Sequence, residues 1–468
     1  MKNIKLTYIG GGSKMWARVF MTDLALANDL GGEIALYDID VESAYINKRI
    51  GERINLDEKA KSKFDYKVYE NIDDALKGAD FVVISILPGT FEEMRVDVHL
   101  PQKYGINQSV GDTVGPGGIL RAMRTVPLYE GFAKAIERNC PEAIVINLTN
   151  PMSICVKTLY DVFPSIKAFG CCHEVFHAQE FLTLVLSEIT NTPRLGRKDI
   201  KTDISGINHF TFISEATYKG EDLFKYIKPF EEKYYEEGYY EKPSAPRFLF
   251  KEDPFAYSNK VKMKLFDIYK VLPAAGDRHL VEFIPHNWFL KDEKTIKEYG
   301  FNLTSVDYRI KQCEERIKES RLIAEGKKKL VLEKSDEECV DLIEALLGKK
   351  EILSNVNLPN EGQVSYLDKD VIVESNCIFS KGSFKPIKSK EVPLEVASLI
   401  RRNATNILNT YIGIKNRDLD MIFEAFINEP LMSSLTLEES KELFKEMIKG
   451  TRKYLDPYYK DIDKYLLS

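Results

Sequence analysis

KNIKLTYIGGGSKM, residues 2–15, is the stretch that decides the fold. Residues 4–9 form an apolar run with the length and composition of a buried strand, and the run stops on three glycines. Gly10 and Gly12 permit a tight turn and let the backbone approach a pyrophosphate at the N-terminus of the following helix. Met15 stands where the third glycine of G-x-G-x-x-G would fall. Residues 19–27 read as that helix and 34–37 as a second strand, ending at Asp38 in ALYDID. A carboxylate there accepts both ribose hydroxyls of NAD and repels a 2′-phosphate, which favours NAD over NADP. Strand, glycines, helix, strand and acid, in that order, predict a dinucleotide site on a Rossmann-like sheet.

Further along, residues 81–87 and 144–148 are short apolar runs alternating with helical stretches such as 41–55, the pattern of a parallel sheet with crossover helices. The helix around 119–138 contains Pro127, which predicts a kink or break. The texture changes near Pro151. The expected organisation is α/β: a Rossmann-like domain over 1–190, then a mixed α+β domain over 191–468 for substrate, metal and oligomer contacts. Within the second part, 218–240 is crowded with Tyr, Phe, Glu and Lys and reads as a partly solvated helical hairpin, with a lid or dimer arm as the alternative. Residues 305–329 form a charged amphipathic helix. Ser335-x-x-Glu338 reads as a capping box for a helix that Gly348 closes, 371–374 as a strand, and everything after Leu394 as helix with polar breaks.

The 468 residues carry 66 Lys and Arg against 72 Asp and Glu, a formal charge of −6. A mild acidic excess argues against nucleic acid and against an anionic membrane surface. No apolar run approaches the roughly 20 residues of a membrane span, and the start lacks the apolar core of a signal peptide. Seven cysteines without a framework spacing indicate the reducing cytosol, hence a cytoplasmic protein.

Several motifs carry chemistry. SILPGTFEEMRVD, 85–97, places Glu92, Glu93 and Arg95 after a strand, either facing a substrate or forming an ordinary helix start. GDTVGPGGILRAMR, 111–124, implies close backbone approaches and offers Arg121 and Arg124 to an anion or to solvent. NLTNPMS, 147–153, presents Asn150 at the C-terminal end of a strand, where open α/β sheets bind ligands; its plain alternative is an Asn-Pro turn. GCCHEVF, 170–176, and GINHF, 206–210, bring a thiol, His173 and His209 from separate segments. Too few ligands for a closed structural site, they suit an open catalytic metal. AAGDRHLVEF, 274–283, holds Asp277, Arg278 and His279 in a small-residue loop, with an Asp–Arg ion pair as the plain reading.

Together these motifs, with LPNEGQV to VIVES and the terminal INEPL, resemble glycoside hydrolase family 4, the NAD- and divalent-metal-dependent glycosidases. The family is one of the recognised exceptions to paired-carboxylate glycoside hydrolysis. The resemblance runs nearly end to end and implies a first domain related to lactate and malate dehydrogenases. It implies that Gly10, Gly12, Ser13 and Asp38 hold NAD and that Asn150 contacts the sugar C2 and C3 hydroxyls. It selects Cys172 over Cys171, with His209, as ligands of a metal that is usually Mn2+, although ligand softness alone points to zinc. It places the general base at Asp277 and leaves His173 or Glu174 to assist the leaving group or orient the sugar. The implied reaction is redox-neutral: C3 is oxidised by NAD, the acidified C2 proton is abstracted, the C1–O bond breaks by elimination, water adds and C3 is re-reduced. The run Cys172-His173-Glu174-Val175 resembles the α-galacturonidase branch, with a neutral α-glucosidase or α-galactosidase as the alternative. A uronide carboxylate needs a cation, and Arg121, Arg124 and Arg278 are available. A small glycoside is the expected partner and a homodimer or homotetramer the expected assembly. The rival readings are a lactate/malate-type dehydrogenase, which needs no metal, and a non-catalytic NAD sensor, which needs no base.

Overall fold

In the computed structural model, which describes residues 2–239 and 254–467, six parallel strands form the first half. They are β1 (Lys2–Ile9), β2 (Leu30–Tyr37), β3 (Lys63–Tyr69), β4 (Phe81–Ile84), β5 (Ile144–Asn147) and β6 (Lys167–Gly170). Their spatial order is 3-2-1-4-5-6, that of the dinucleotide-binding doubly wound fold. The central strands are buried on both faces, which is why they read as unbroken apolar runs. Phe81 and Val83 face the helices Trp16–Leu26 and Cys339–Leu346, while Val82 and Ile84 face Gly115–Asn139 and Met152–Val162. The edge strand β3 alternates exposed and buried residues and escaped the sequence reading for that reason.

Seven more strands extend the same sheet: β7 (Lys201–Ile207), β8 (Phe210–Tyr218), β9 (Glu221–Asp222), β10 (Leu272–Pro273), β11 (Ile352–Pro359), β12 (Ile372–Ser380) and β13 (Ser383–Pro386). Strand β11 joins the parallel half where Asn357 pairs with Gly170. The sheet is therefore continuous from residues before 190 to residues after it. One register row crosses the junction, from Gly170 through Asn357 and Glu374 to Gly206 and Thr211. It lies at the C-terminal end of β6, the edge at which such sheets present ligand sites.

Some local expectations change. The helix Gly115–Asn139 continues through Pro127 without breaking. Pro127 has no N–H for the Met123 carbonyl, and the Tyr459 hydroxyl donates to that carbonyl instead at 3.4 Å. Ser335 does not cap Cys339–Leu346. Its N–H and hydroxyl donate to Asp23, while the Glu338 carboxylate turns to Ser354, Arg197 and Lys198. Gly348, at φ +81°, does follow that helix as a terminator. The helix Val306–Ala324 starts at the Ser305 cap as its pattern indicates. Residues 218–239 are not a helical hairpin: a strand end and β9 lead into one helix, Ile227–Tyr234, whose Phe230 packs edge-on against Phe181; residue 240 lies outside the described residues. Among the described residues, no helix is long and apolar enough to cross a membrane.

Candidate active site

The glycine turn is built against the ends of β2 and β4. The amides of Gly10 and Gly11 both donate to the Tyr37 carbonyl at 2.9 Å. Gly10 has φ +97°, and a Cβ on it would lie 2.0 Å from the Ser85 carbonyl oxygen. Gly12 donates its amide to Asp38 Oδ2 at 2.7 Å, and a Cβ there would sit 2.8 Å from that oxygen. Asp38 Oδ1 accepts from the Asp40 amide at 2.8 Å, so the carboxylate is fixed at the strand end. Ser13 accepts through Oγ from the Trp16 amide at 3.0 Å, at the start of the helix Trp16–Leu26. A cradle that even a methyl would fill, at a helix N-terminus and beside a held carboxylate, fits a dinucleotide.

A second group gathers from three separate segments. Ligand atoms of Asp112, His209 and His279 all lie within 4.8 Å of one another. Asp112 sits in the loop before Gly115–Asn139, and Thr113 Oγ1 donates to its Oδ1 at 2.7 Å. His209 occupies the tight β7–β8 turn at φ +63°, its Nδ1 3.0 Å from Thr113 Oγ1. His279 rides on the short helix Asp277–Leu280, its ring centroid 3.9 Å from that of His209. Burial pushes the His209 imidazole down to about 3, aided by His279, so it is a neutral donor. Burial would raise Asp112, but the Arg121 guanidinium holds it well below the usual carboxylate range. Among the described residues, His279 Nδ1 and Asn150 Oδ1 are buried without a hydrogen-bond partner. Two imidazoles, a carboxylate and these unpaired polar atoms fit a divalent cation with a polar ligand.

The other sequence candidates stand around this group. Cys172 is buried, packed with Met152, Val156 and Ile372 on one side. Burial pushes its thiol well above the ordinary range, and the Glu374 and Glu174 carboxylates push it further. Cys172 is not a member of the Asp112–His209–His279 group, whereas His209 belongs to both sets. Glu174 accepts from the Gly276 amide at 2.6 Å and lies 3.7 Å from His279 Nε2. Burial opposes its charge, but His279, His177 and His173 hold it well below the usual range. His173 points toward Glu337, at 3.0 Å, and has His177 beside it; it forms with Glu174 and His177 a second group of close ligand atoms. Asn150 Nδ2 is 3.4 Å from Asp112 Oδ2. Asp277 is fully buried and accepts from the amides of Val261 and Lys262 at 3.2 and 3.0 Å, anchoring the helix Lys260–Tyr269. Burial pushes it up to about 6, against the opposing pull of Lys262.

The arginines separate by their partners. Arg124 is buried in a two-pronged pair with Asp97. Arg278 donates to the carbonyls of Asn302 and Ser109 and to Thr304, and makes no ion pair with Asp277 among the described residues. Arg121 donates Nε to the Asn150 carbonyl at 3.0 Å, and among the described residues its terminal nitrogens make no hydrogen bond or ion pair. Glu92 and Arg95 are exposed or half-buried: Arg95 pairs with Asp307, and Glu93 closes a capping box with Thr90, the plain reading of that motif. Asp112 lay inside a motif read for its glycines and arginines. The signal for it was an Asp-Thr placed directly before the glycine-rich helix start.

Residues 5–188 match the model of the family 4 glycosyl hydrolases, and residues 204–432 match their C-terminal domain. The chain is 47% identical to an α-galacturonidase of Thermoanaerobacterium saccharolyticum over 97% of both chains. It is 40% identical to an α-galacturonidase of Bacillus subtilis, covering 96% of this chain and 97% of that one. Its fold superposes on the crystal structure of LplD from Bacillus subtilis with a TM-score of 0.89, at 40% identity, covering 96% of this chain and all of the other. A 6-phospho-α-glucosidase from gut microorganisms, solved with NAD and Mn2+, shares the fold at a TM-score of 0.76 and 20% identity, over 97% and 99% of the two chains. With both of its halves matched and its length covered, this chain belongs to glycosyl hydrolase family 4.

Proposed function

We propose that this chain is an α-galacturonidase that uses NAD and a divalent metal, Mn2+ for preference, in the redox-neutral elimination and addition outlined above. The observation that carries the reading is a Gly10–Asp38 cradle at the ends of β1 and β2 together with an Asp112–His209–His279 group gathered at the β7–β8 turn, in a chain alike over its full length to α-galacturonidases. Gly10, Gly12, Ser13 and Asp38 would hold the nucleotide. His209 would bind the metal with Cys172, as the sequence indicates, and with Asp112 and His279, as the fold indicates.

When bound, the nucleotide would supply reversible oxidation at the sugar C3, and a cation held by His209 with Cys172, Asp112 and His279 would supply the Lewis acidity that makes the neighbouring C2 proton acidic. Asn150, with Oδ1 unpartnered and Nδ2 facing Asp112, orients the C2 and C3 hydroxyls. Asp277 is the base for the C2 proton, carried on the same short helix as His279. Loss of that proton expels the glycosidic oxygen from C1. His173, held by Glu337, stands for the leaving oxygen, and Glu174 fixes the His279 ring from its anchor on Gly276.

The test mixes protein, NAD, Mn2+ and a thiol with the nitrophenyl α-galacturonide, α-glucuronide, α-galactoside and α-glucoside. Nitrophenol release from the galacturonide, without net NADH, is expected. Stoichiometric NADH would instead mark a dehydrogenase, and better turnover of a neutral sugar would overturn the uronide reading.

A further inference from the structure

Arg309 lies in the helix Val306–Ala324, which no site motif includes. Its side chain is half-buried, and its Nε is screened from solvent with no hydrogen-bond partner. Among the described residues its guanidinium makes no ion pair either. The ring of Phe255 lies 5.9 Å from its guanidinium carbon, and the same ring lies 5.2 Å from that of Arg278. The charge that favours Arg309 most is Asp112, a member of the proposed metal group, and the one that opposes it most is Arg121; Glu282 and Arg316 follow. The geometry ties Arg309 to the same region: it shares the Phe255 ring with Arg278, which donates to the Ser109 carbonyl in the segment leading to Asp112.

The carboxylates are already engaged. Asp112 accepts from Thr113, and Glu282 accepts from the amides of Val110 and Gly111. A divalent ion on Asp112 would add positive charge to the same place. The Arg309 Nε is screened and unpaired, its terminal nitrogens reach the cleft, and among the described residues no acceptor or carboxylate pairs with the guanidinium, which leaves it open to an anionic ligand. The planar fork of Arg309 suits a carboxylate. Of the three arginines available from the motifs, Arg124 is consumed by Asp97 and Arg278 by carbonyls, while Arg121 retains its two terminal nitrogens.

We propose that Arg309, seconded by Arg121, is the specificity residue of the site and pairs with the C6 carboxylate of the galacturonide. The proposal rests on the α-galacturonidase reading. The alternative anion is the cofactor pyrophosphate, since Cys313, one turn further along the same helix, has Lys14 and Asp40 as charged neighbours; the NAD affinity measured below separates the two.

The experiment compares wild type, Arg309→Met and Arg309→Lys on nitrophenyl α-galacturonide and α-galactoside, which differ only at C6. Beside it, the rise in melting temperature with free galacturonate or galactose and the Kd for NAD are measured on the same proteins. Wild type is expected to prefer the galacturonide. Arg309→Met should lose roughly a hundredfold in kcat/KM on it, keep its galactoside rate and NAD affinity, and lose the galacturonate-induced shift. Arg309→Lys should recover part of the galacturonide rate. If wild type shows no uronide preference, the substrate reading fails and takes this one with it. If wild type prefers the uronide and Arg309→Met keeps that preference, loses both sugars alike, or loses NAD affinity instead, only the Arg309 assignment falls.

Discussion

The imidazoles of His209 and His279 lie ring to ring, their centroids 3.9 Å apart and their planes tilted by 32°. One is set on a two-strand turn and the other on a four-residue helix, and both are pushed by burial toward the neutral form. Two neutral imidazoles gain little from each other there, whereas a cation between them and Asp112 would satisfy all three. His279→Ala is therefore expected to weaken Mn2+ binding by at least about tenfold, as loss of a ligand or of its immediate support does. Free Mn2+ followed by electron paramagnetic resonance measures this directly. An unchanged Kd would remove His279 from the metal site.

Cys171 and Cys172 are adjacent in sequence and face different groups. Cys171 packs against Cys339 in the core beside the first sheet half, with Glu337 and Glu338 as charged neighbours, whereas Cys172 lies toward Glu374 and Glu174. Cys172→Ser should abolish metal-dependent activity, since a hydroxyl is a far poorer ligand than a thiolate, while Cys171→Ser should keep most of it. Mn2+ affinity and turnover of the two variants decide the point. A Cys172→Ser protein that binds Mn2+ as tightly as wild type excludes the thiol as a ligand.

Four of the six parallel strands were legible because they are buried on both faces and the turn after the first demands glycine, whereas the alternating edge strand β3 and the short β6 were not. The pattern from Lys2 to Asp38 has few other solutions. The antiparallel half was less so: β11 and β12 were visible only as a fragment at 371–374, since their place depends on one pairing of Asn357 with Gly170. Within the site, His209 and Cys172 stand in compact motifs and can be picked from sequence. Asp112 gains its meaning only when folding carries the β7–β8 turn to Thr113. Arg309 offers no local signal, because a charged residue on an amphipathic helix looks the same whether its end meets water or a buried cleft. The INEPL motif acquires a physical reason: its Glu429 holds the Gly115 amide at the head of the helix that follows Asp112.

Arg124 and Asp97 are both almost wholly buried and joined by two hydrogen bonds. Breaking such a pair from one side leaves an uncompensated charge, at a cost of about 3–5 kcal/mol. Asp97→Asn should therefore lower stability by that order, and a double replacement of both residues by apolar side chains of similar volume should recover much of it. Denaturant midpoints at neutral pH test this. A loss below about 1 kcal/mol in the single variant would mean that water reaches Arg124.

Glu429 gives a pH dependence whose sign can be worked out. Burial pushes its carboxyl up to about 7, although the Gly115 amide at 2.9 Å and the Asn406 amide at 2.7 Å both favour the charged form. The unfolded chain loses this proton near the ordinary value of 4.5, so between about 4.5 and 7 the native state binds more protons than the unfolded one. Stability from this group therefore falls as pH rises through that window, by about 1.4 kcal/mol per unit and roughly 3 kcal/mol in all. Glu429→Gln cannot titrate. Its fixed cost from losing one acceptor oxygen is the same at every pH and cancels from the slope. Unfolding free energies from denaturant titrations at pH 5, 6 and 7 should thus fall more steeply for wild type than for Glu429→Gln. Parallel curves would show that Glu429 is ionised in the native state throughout, its charge carried by the Gly115 and Asn406 amides.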